Sequence, residues 1–109
     1  MSRFNDFVEA VLGGVPDLAR STVGDLPTRA REDAIDFLEK TAADLQQWTE
    51  ELARGDLTQQ DFQDLVEAKK ALAEIHALTQ TGVALANLER FRRGLIDLVV
   101  NTAFDVFLP

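Results

Sequence analysis

Apolar residues recur along this chain at steps of three and four, and the alternating rhythm of a half-buried strand is missing, so the expected fold class is all-α. Near the start, Phe4, Phe7, Val8, Val11 and Leu12 stand at i, i+3, i+4, i+7 and i+8, one face of a short helix over about 3–12. The run Gly13-Gly14-Val15-Pro16 then predicts an interruption. Two glycines are poor helix formers, and a proline is best tolerated in a first turn, which places a second short helix over about 16–23.

A long helix is expected over about 28–54, where Ala34, Leu38, Thr41, Leu45, Trp48 and Leu52 alternate at spacings of four and three, a heptad seam. The turn that follows is the best-specified piece of the chain. Gly55 stands where a left-handed cap is wanted, Thr58 where an N-cap hydroxyl is wanted and Asp61 at the third helical position. Leu57 and Phe62 are spaced as a hydrophobic staple. So short a turn forces antiparallel arms. Leu65, Ala68, Leu72, Ile75, Thr79, Gly82 and Ala86 carry the rhythm on, which predicts one helix over about 58–107, continuous through Gly82 at a cost of ~1 kcal/mol relative to alanine.

Folding the sequence about this turn lays the broken N-terminal helix along the C-terminal half and gathers Phe4, Phe7, Phe104 and Phe107 at one end. The expected architecture is an elongated antiparallel helical hairpin in a single domain over residues 1–109. Its second arm would be roughly 75 Å long at ~1.5 Å per residue. Toward the C-terminus, Arg93, Asp97, Asn101 and Asp105 form a narrow polar stripe within an apolar arc too wide for one neighbour. The second neighbour expected is another copy of the chain, in a dimeric helical bundle. The interface would use Phe4, Phe7, Phe91, Leu95, Ile96, Val99, Val100, Ala103, Phe104 and Phe107.

The formal net charge of −8, from 19 acidic against 11 basic residues, argues against a nucleic-acid binder, which needs a basic face. There is no cysteine, hence no disulfide, thiolate metal site or thiol nucleophile. Asp6 and Glu9 interrupt the opening apolar segment, which does not read as a secretory signal, and cytoplasmic residence is expected.

Candidate chemistry is sparse. His76 is the single histidine, and Glu74, two residues away, would point to the opposite face of a helix, so no metal site and no cofactor are expected. Arg54-Gly55-Asp56 is accounted for by helix capping rather than by adhesion. Glu32 with Asp36, and Asp61 with Asp64, read as solvated carboxylates with no nucleophile or base converging on them. The glycines form no phosphate-cradling motif, and Trp48 reads as a core anchor for the turn.

The apolar run from Gly94 to Leu108 raises a membrane role. Fifteen residues make a helix of about 22 Å, shorter than a hydrocarbon core of ~30 Å, and Asp97 and Asp105 would have to enter it. Lying flat on a bilayer with Phe91, Phe104 and Phe107 inserted is the alternative, although an interfacial helix ordinarily carries Lys and Arg where this stripe carries Asp and Asn. The expected function is a non-enzymatic helical self-assembling or protein-interaction module, a scaffold, adaptor or assembly subunit. Its apolar C-terminal helix would be the interface and its acidic hairpin would be free for a basic protein partner. A small metal-binding bundle would need clustered ligands that the sequence lacks.

Overall fold

A computed structural model describes residues 2–108 and is all-helical, with five α-helices and no strand among them. Helix α1 spans Arg3–Thr22, α2 Pro27–Arg54, α3 Gln59–Glu67, α4 His76–Thr79 and α5 Leu85–Phe107, with a 3₁₀ turn at Lys70–Leu72. One apolar core runs the length of the molecule, which measures 43 × 27 × 21 Å. The longest dimension is set by α2, whose 28 residues give a rod of about 42 Å.

The N-terminal helix is unbroken, contrary to the interruption expected at Gly13–Pro16. Ser2 caps it, its hydroxyl accepting from the Asn5 N–H at 3.1 Å, and the helix passes through Pro16. Tertiary packing overrides local propensity here. Val11, Val15 and Ala19 form one fully buried line with Phe7 on the same face, each large apolar side chain contributing roughly 1.5–3 kcal/mol. Pro16 itself is exposed, so the missing backbone bond to Leu12 lies on the solvent side.

At the other end of α2 the expected turn forms. Gly55 adopts φ 80°, the Asp56 N–H reaches back to the Glu51 carbonyl at 2.8 Å, and the Gly55 N–H reaches Leu52 at 3.2 Å, the double bond of a Schellman cap. Thr58 then caps α3 by accepting from the Asp61 N–H at 3.0 Å, over a fully buried Phe62.

The second arm departs from the single helix expected over 58–107. It is interrupted between Ala68 and Ala84, where Gly82 takes φ 81° and Ile75 takes φ 48°. Ala73 and Ile75 show why: they are two residues apart and both buried, which the irregular backbone of 73–75 allows and a helix does not. The break also lets α5 fold back over α1 instead of extending as a rod past its partners. Arg92 of α5 ties the two sides of the break, its Nε donating to the Ala73 carbonyl at 2.7 Å.

Helices α1 and α5 run antiparallel. The Phe7 and Phe107 rings lie 5.8 Å apart at one end, and Arg3 Nη2 donates to the Val106 carbonyl at 2.7 Å. At the other end, Leu98 fills the space above Gly14 and Leu18 the space above Gly94. Of the four phenylalanines expected to gather, Phe4, Phe7 and Phe107 pack in a row, whereas Phe104 pairs instead with Phe62 of α3, the rings 6.0 Å apart. The expected polar stripe of Arg93, Asp97, Asn101 and Asp105 is exposed along α5, with Arg93 paired to Glu67 of α3 at 2.9 Å.

Candidate functional site

Of the ten residues expected to form an interface, Phe7, Phe91, Leu95, Ile96, Val99, Val100, Ala103 and Phe107 are buried within the chain, while Phe4 and Phe104 are half-buried. The broad apolar arc of α5 is covered by α1, α2 and α3 of the same molecule. Its width is therefore accounted for inside one chain, without the second copy that the sequence pattern suggested.

Apolar surface remains uncovered elsewhere, between α1 and α2. Phe4, Val8 and Leu12 stand at i, i+4 and i+8 on α1, one line over from the buried line of Phe7, Val11 and Val15. Facing them from α2 are Ile35, Leu38 and Ala42, and together with Glu39 these residues bound an open trough of about 310 Å³. Leu38 forms the buried floor, and the others are half-buried except for the exposed Glu39. Phe4 also lines a second hollow of about 330 Å³ at the end of the molecule, whose charged wall residues are Arg3, Glu50 and Arg54 and whose floor includes Phe107. The two hollows meet at Phe4, which lines both.

The rim of the groove is acidic. Glu32, Glu39, Gln46 and Glu50 recur at steps of seven, seven and four, which puts them along one outer edge of α2, and all four are exposed. Glu9 stands exposed on the outer side of α1. Against these, Arg31 is the cation in line with Ile35 and Leu38, and Arg29 lies 3.9 Å from Glu32. At the far end, Arg54 pairs with Asp56 at 3.0 Å, and the Arg3 guanidinium sits over the Phe107 ring at 5.1 Å.

A polar cluster on another part of α2 holds the break in the second arm. Asp33 is buried at 5 % exposure, and its two carboxylate oxygens accept from the Ala77 and Leu78 N–H groups, both at 2.9 Å. A side chain of α2 thus caps α4, which has no capping side chain of its own. Sequence reasoning passed over Asp33, because nothing local marks an aspartate in mid-helix as the cap of a helix more than forty residues on.

Nearby, Lys40 Nζ bridges Asp36 and Glu74, each at 2.9 Å, and Glu74 Oε2 meets His76 Nε2 at 2.7 Å. The contact between Glu74 and His76 corrects the expectation that they face apart. Glu74 lies in the irregular segment 73–75, outside any helix, so helix geometry does not apply. Hydrogen bonding to Asp36 first, and to Glu74 second, raises the Lys40 pKa above 10.5. Bonds from Lys40 first, and from His76 second, lower that of Glu74 below 4.5. Among the described residues, no group of three or more His, Cys, Asp or Glu side chains is placed to hold a metal ion.

Of the remaining candidates, Arg54, Gly55 and Asp56 form the cap described above, and Asp64 accepts from Gln60 at 2.9 Å. Trp48 is half-buried beside the Lys69 ammonium, 5.9 Å from the ring, and Lys69 also pairs with Asp44. No helix among the described residues is long and apolar enough to cross a membrane.

No protein family matches the chain, and neither does any curated protein or solved structure.

Proposed function

We propose that this chain is a non-enzymatic protein-interaction module, a scaffold or adaptor, whose working surface is the groove between α1 and α2. The observation that carries this reading is the line of Phe4, Val8 and Leu12 facing Ile35 and Ala42, which stays half-exposed while the wide apolar arc of α5 is satisfied within the chain. A continuous apolar trough rimmed by polar residues is the surface signature of docking. Its lining supports binding rather than chemistry, since Glu39 is the one titratable group along the trough. The rigid helices on both sides suit the role, because α1 and α2 are each fixed by core residues immediately behind the groove.

The test places a photo-crosslinking residue at Ala42, in the trough, or at Asn101, on the exposed stripe of α5, in the native cell. Protein adducts from position 42 and none from 101 are expected. Adducts from 101 alone, or from neither, would overturn the reading.

A further inference from the structure

The geometry points to one occupant for this groove: a short amphipathic helix of another protein, flanked by Lys or Arg. This rests on the groove being a docking surface, and two observations select the occupant.

The first is size. The α1 wall from Phe4 to Leu12 is about 12 Å long and the α2 wall from Ile35 to Ala42 about 10 Å, two turns of helix at ~1.5 Å per residue. Apolar anchors at i, i+4 and i+7 on an incoming helix span that length, and two parallel ridges with a floor between them are what such a helix packs into. A stable two-fold dimer ordinarily takes about 20–30 residues from each side. The two hollows together are lined by fifteen.

The second is charge. Glu39 on the α2 edge and Glu9 on the α1 edge face solvent along the trough, Glu32 is shared with Arg29, and Arg31 is the opposing charge in line with it; in the end hollow Glu50 stands with Arg3 and Arg54, of which Arg54 is paired to Asp56 and Arg3 lies over the Phe107 ring. A second copy would bring the same acidic edges, and a net charge of −8, against the first. An anionic bilayer would be repelled for the same reason. Cationic side chains on either flank of an apolar stripe meet the opposite sign.

Two synthetic helices of about 18 residues test this, each with leucines at i, i+4, i+7 and i+11, one flanked by lysines and the other by glutamates, titrated by fluorescence anisotropy. The lysine peptide should bind roughly tenfold or more tightly than the glutamate peptide at low salt, the size expected when several screened surface pairs act together. That advantage should shrink as salt rises. It should reverse in the double variant Glu39→Lys, Glu50→Lys, whose substitutions are exposed and leave the core alone. Val8→Lys should abolish binding of both peptides, with circular dichroism as the control for folding. Ala42→Lys replaces it should α1 be disturbed.

Equal binding of both peptides, lost in Val8→Lys, would overturn the charge selection and leave the groove as a docking surface. If neither peptide binds, the helical occupant is wrong. A dimer in sedimentation that Val8→Lys disrupts would then make the occupant a second copy, and Val8-dependent binding to vesicles of phosphatidylcholine and phosphatidylglycerol would make it lipid. Absence of these together with absence of adducts at position 42 would remove the interaction reading itself.

Discussion

Leu18 lies directly over Gly94 where α1 crosses α5, so close that a Cβ at residue 94 would overlap Leu18 Cδ1. The arrangement is reciprocal, since a Cβ at Gly14 would stand 2.8 Å from Leu98 Cδ1. Each helix thus offers a glycine as the socket for the other's leucine. Gly94→Ala should therefore destabilise the protein by about 1 kcal/mol, the ~1 kcal/mol gain in helix propensity being outweighed by overpacking of ~2 kcal/mol, the middle of its usual range. Leu18 is half-buried, which keeps the cost below the top of that range. Urea denaturation measures it. The double variant with Leu18→Ala should cost less than the sum of the two single changes, and strict additivity would show that the two residues do not share this space.

Asp33 makes a prediction of a different kind, because it joins parts of the chain with no local connection. Asp33→Ala should cost about 2–4 kcal/mol, since it strands the Ala77 and Leu78 N–H groups at the start of α4. Asp33→Asn keeps one acceptor oxygen and should fall between. Hydrogen exchange should accelerate across 73–84 well before α1 or α2 is affected. A uniform acceleration over the chain would mean that the segment is not separately held.

These two relationships also mark how far the sequence could be read. The Gly55 cap and the Thr58 cap were legible because each is a local device with a fixed spacing. The exposed stripe on α5 followed from periodicity, and the meeting of Phe7 with Phe107 from folding the chain about the Gly55 turn. The break at 68–84 was not legible, because its stability comes from Asp33 and Arg92, both distant in sequence, and because Ile75 is β-branched in a left-handed conformation that such residues avoid. The groove was hidden for a related reason. Phe4, Val8 and Leu12 read as the same core face as Phe7 and Val11. The one available sign was Ile35, an isoleucine standing outside the heptad seam of α2.

The ion pairs around Glu74 set a pH dependence whose sign follows from the two shifts. The folded-state pKa of Glu74 is lowered below 4.5, so its contribution is present above that value and is lost as pH falls through the lowered one. That of Lys40 is raised above 10.5, so its contribution is present below 10.5 and is lost as pH rises through the raised value. Both groups face solvent, and salt should weaken the effect. Thermal melts of wild type and Glu74→Gln should therefore differ slightly across the neutral range and converge in acid. Divergence on acidification would contradict the assignment.

Pro16 provides the sharpest test of α1. In a helix that begins at Pro16, the proline would occupy a favourable first-turn position, and Pro16→Ala would gain nothing. In the continuous helix Arg3–Thr22 it sits in the interior, where proline costs ~3 kcal/mol, and an alanine there would restore the N–H that Leu12 lacks as a partner. Pro16→Ala should thus stabilise the protein by about 1–3 kcal/mol. Gly13 is exposed, with no atom within 4 Å of a Cβ built on it, so Gly13→Ala should add about 0.5–1 kcal/mol. The two sites lie on the outer surface of α1, away from Leu98 and Leu18, and their gains should add. For a domain of this size, the combined change should raise the melting temperature by at least about 5 °C. A neutral or destabilising Pro16→Ala would restore the interruption at Gly13–Pro16 and with it a different wall for the groove, because Leu12 would then stand at a helix end.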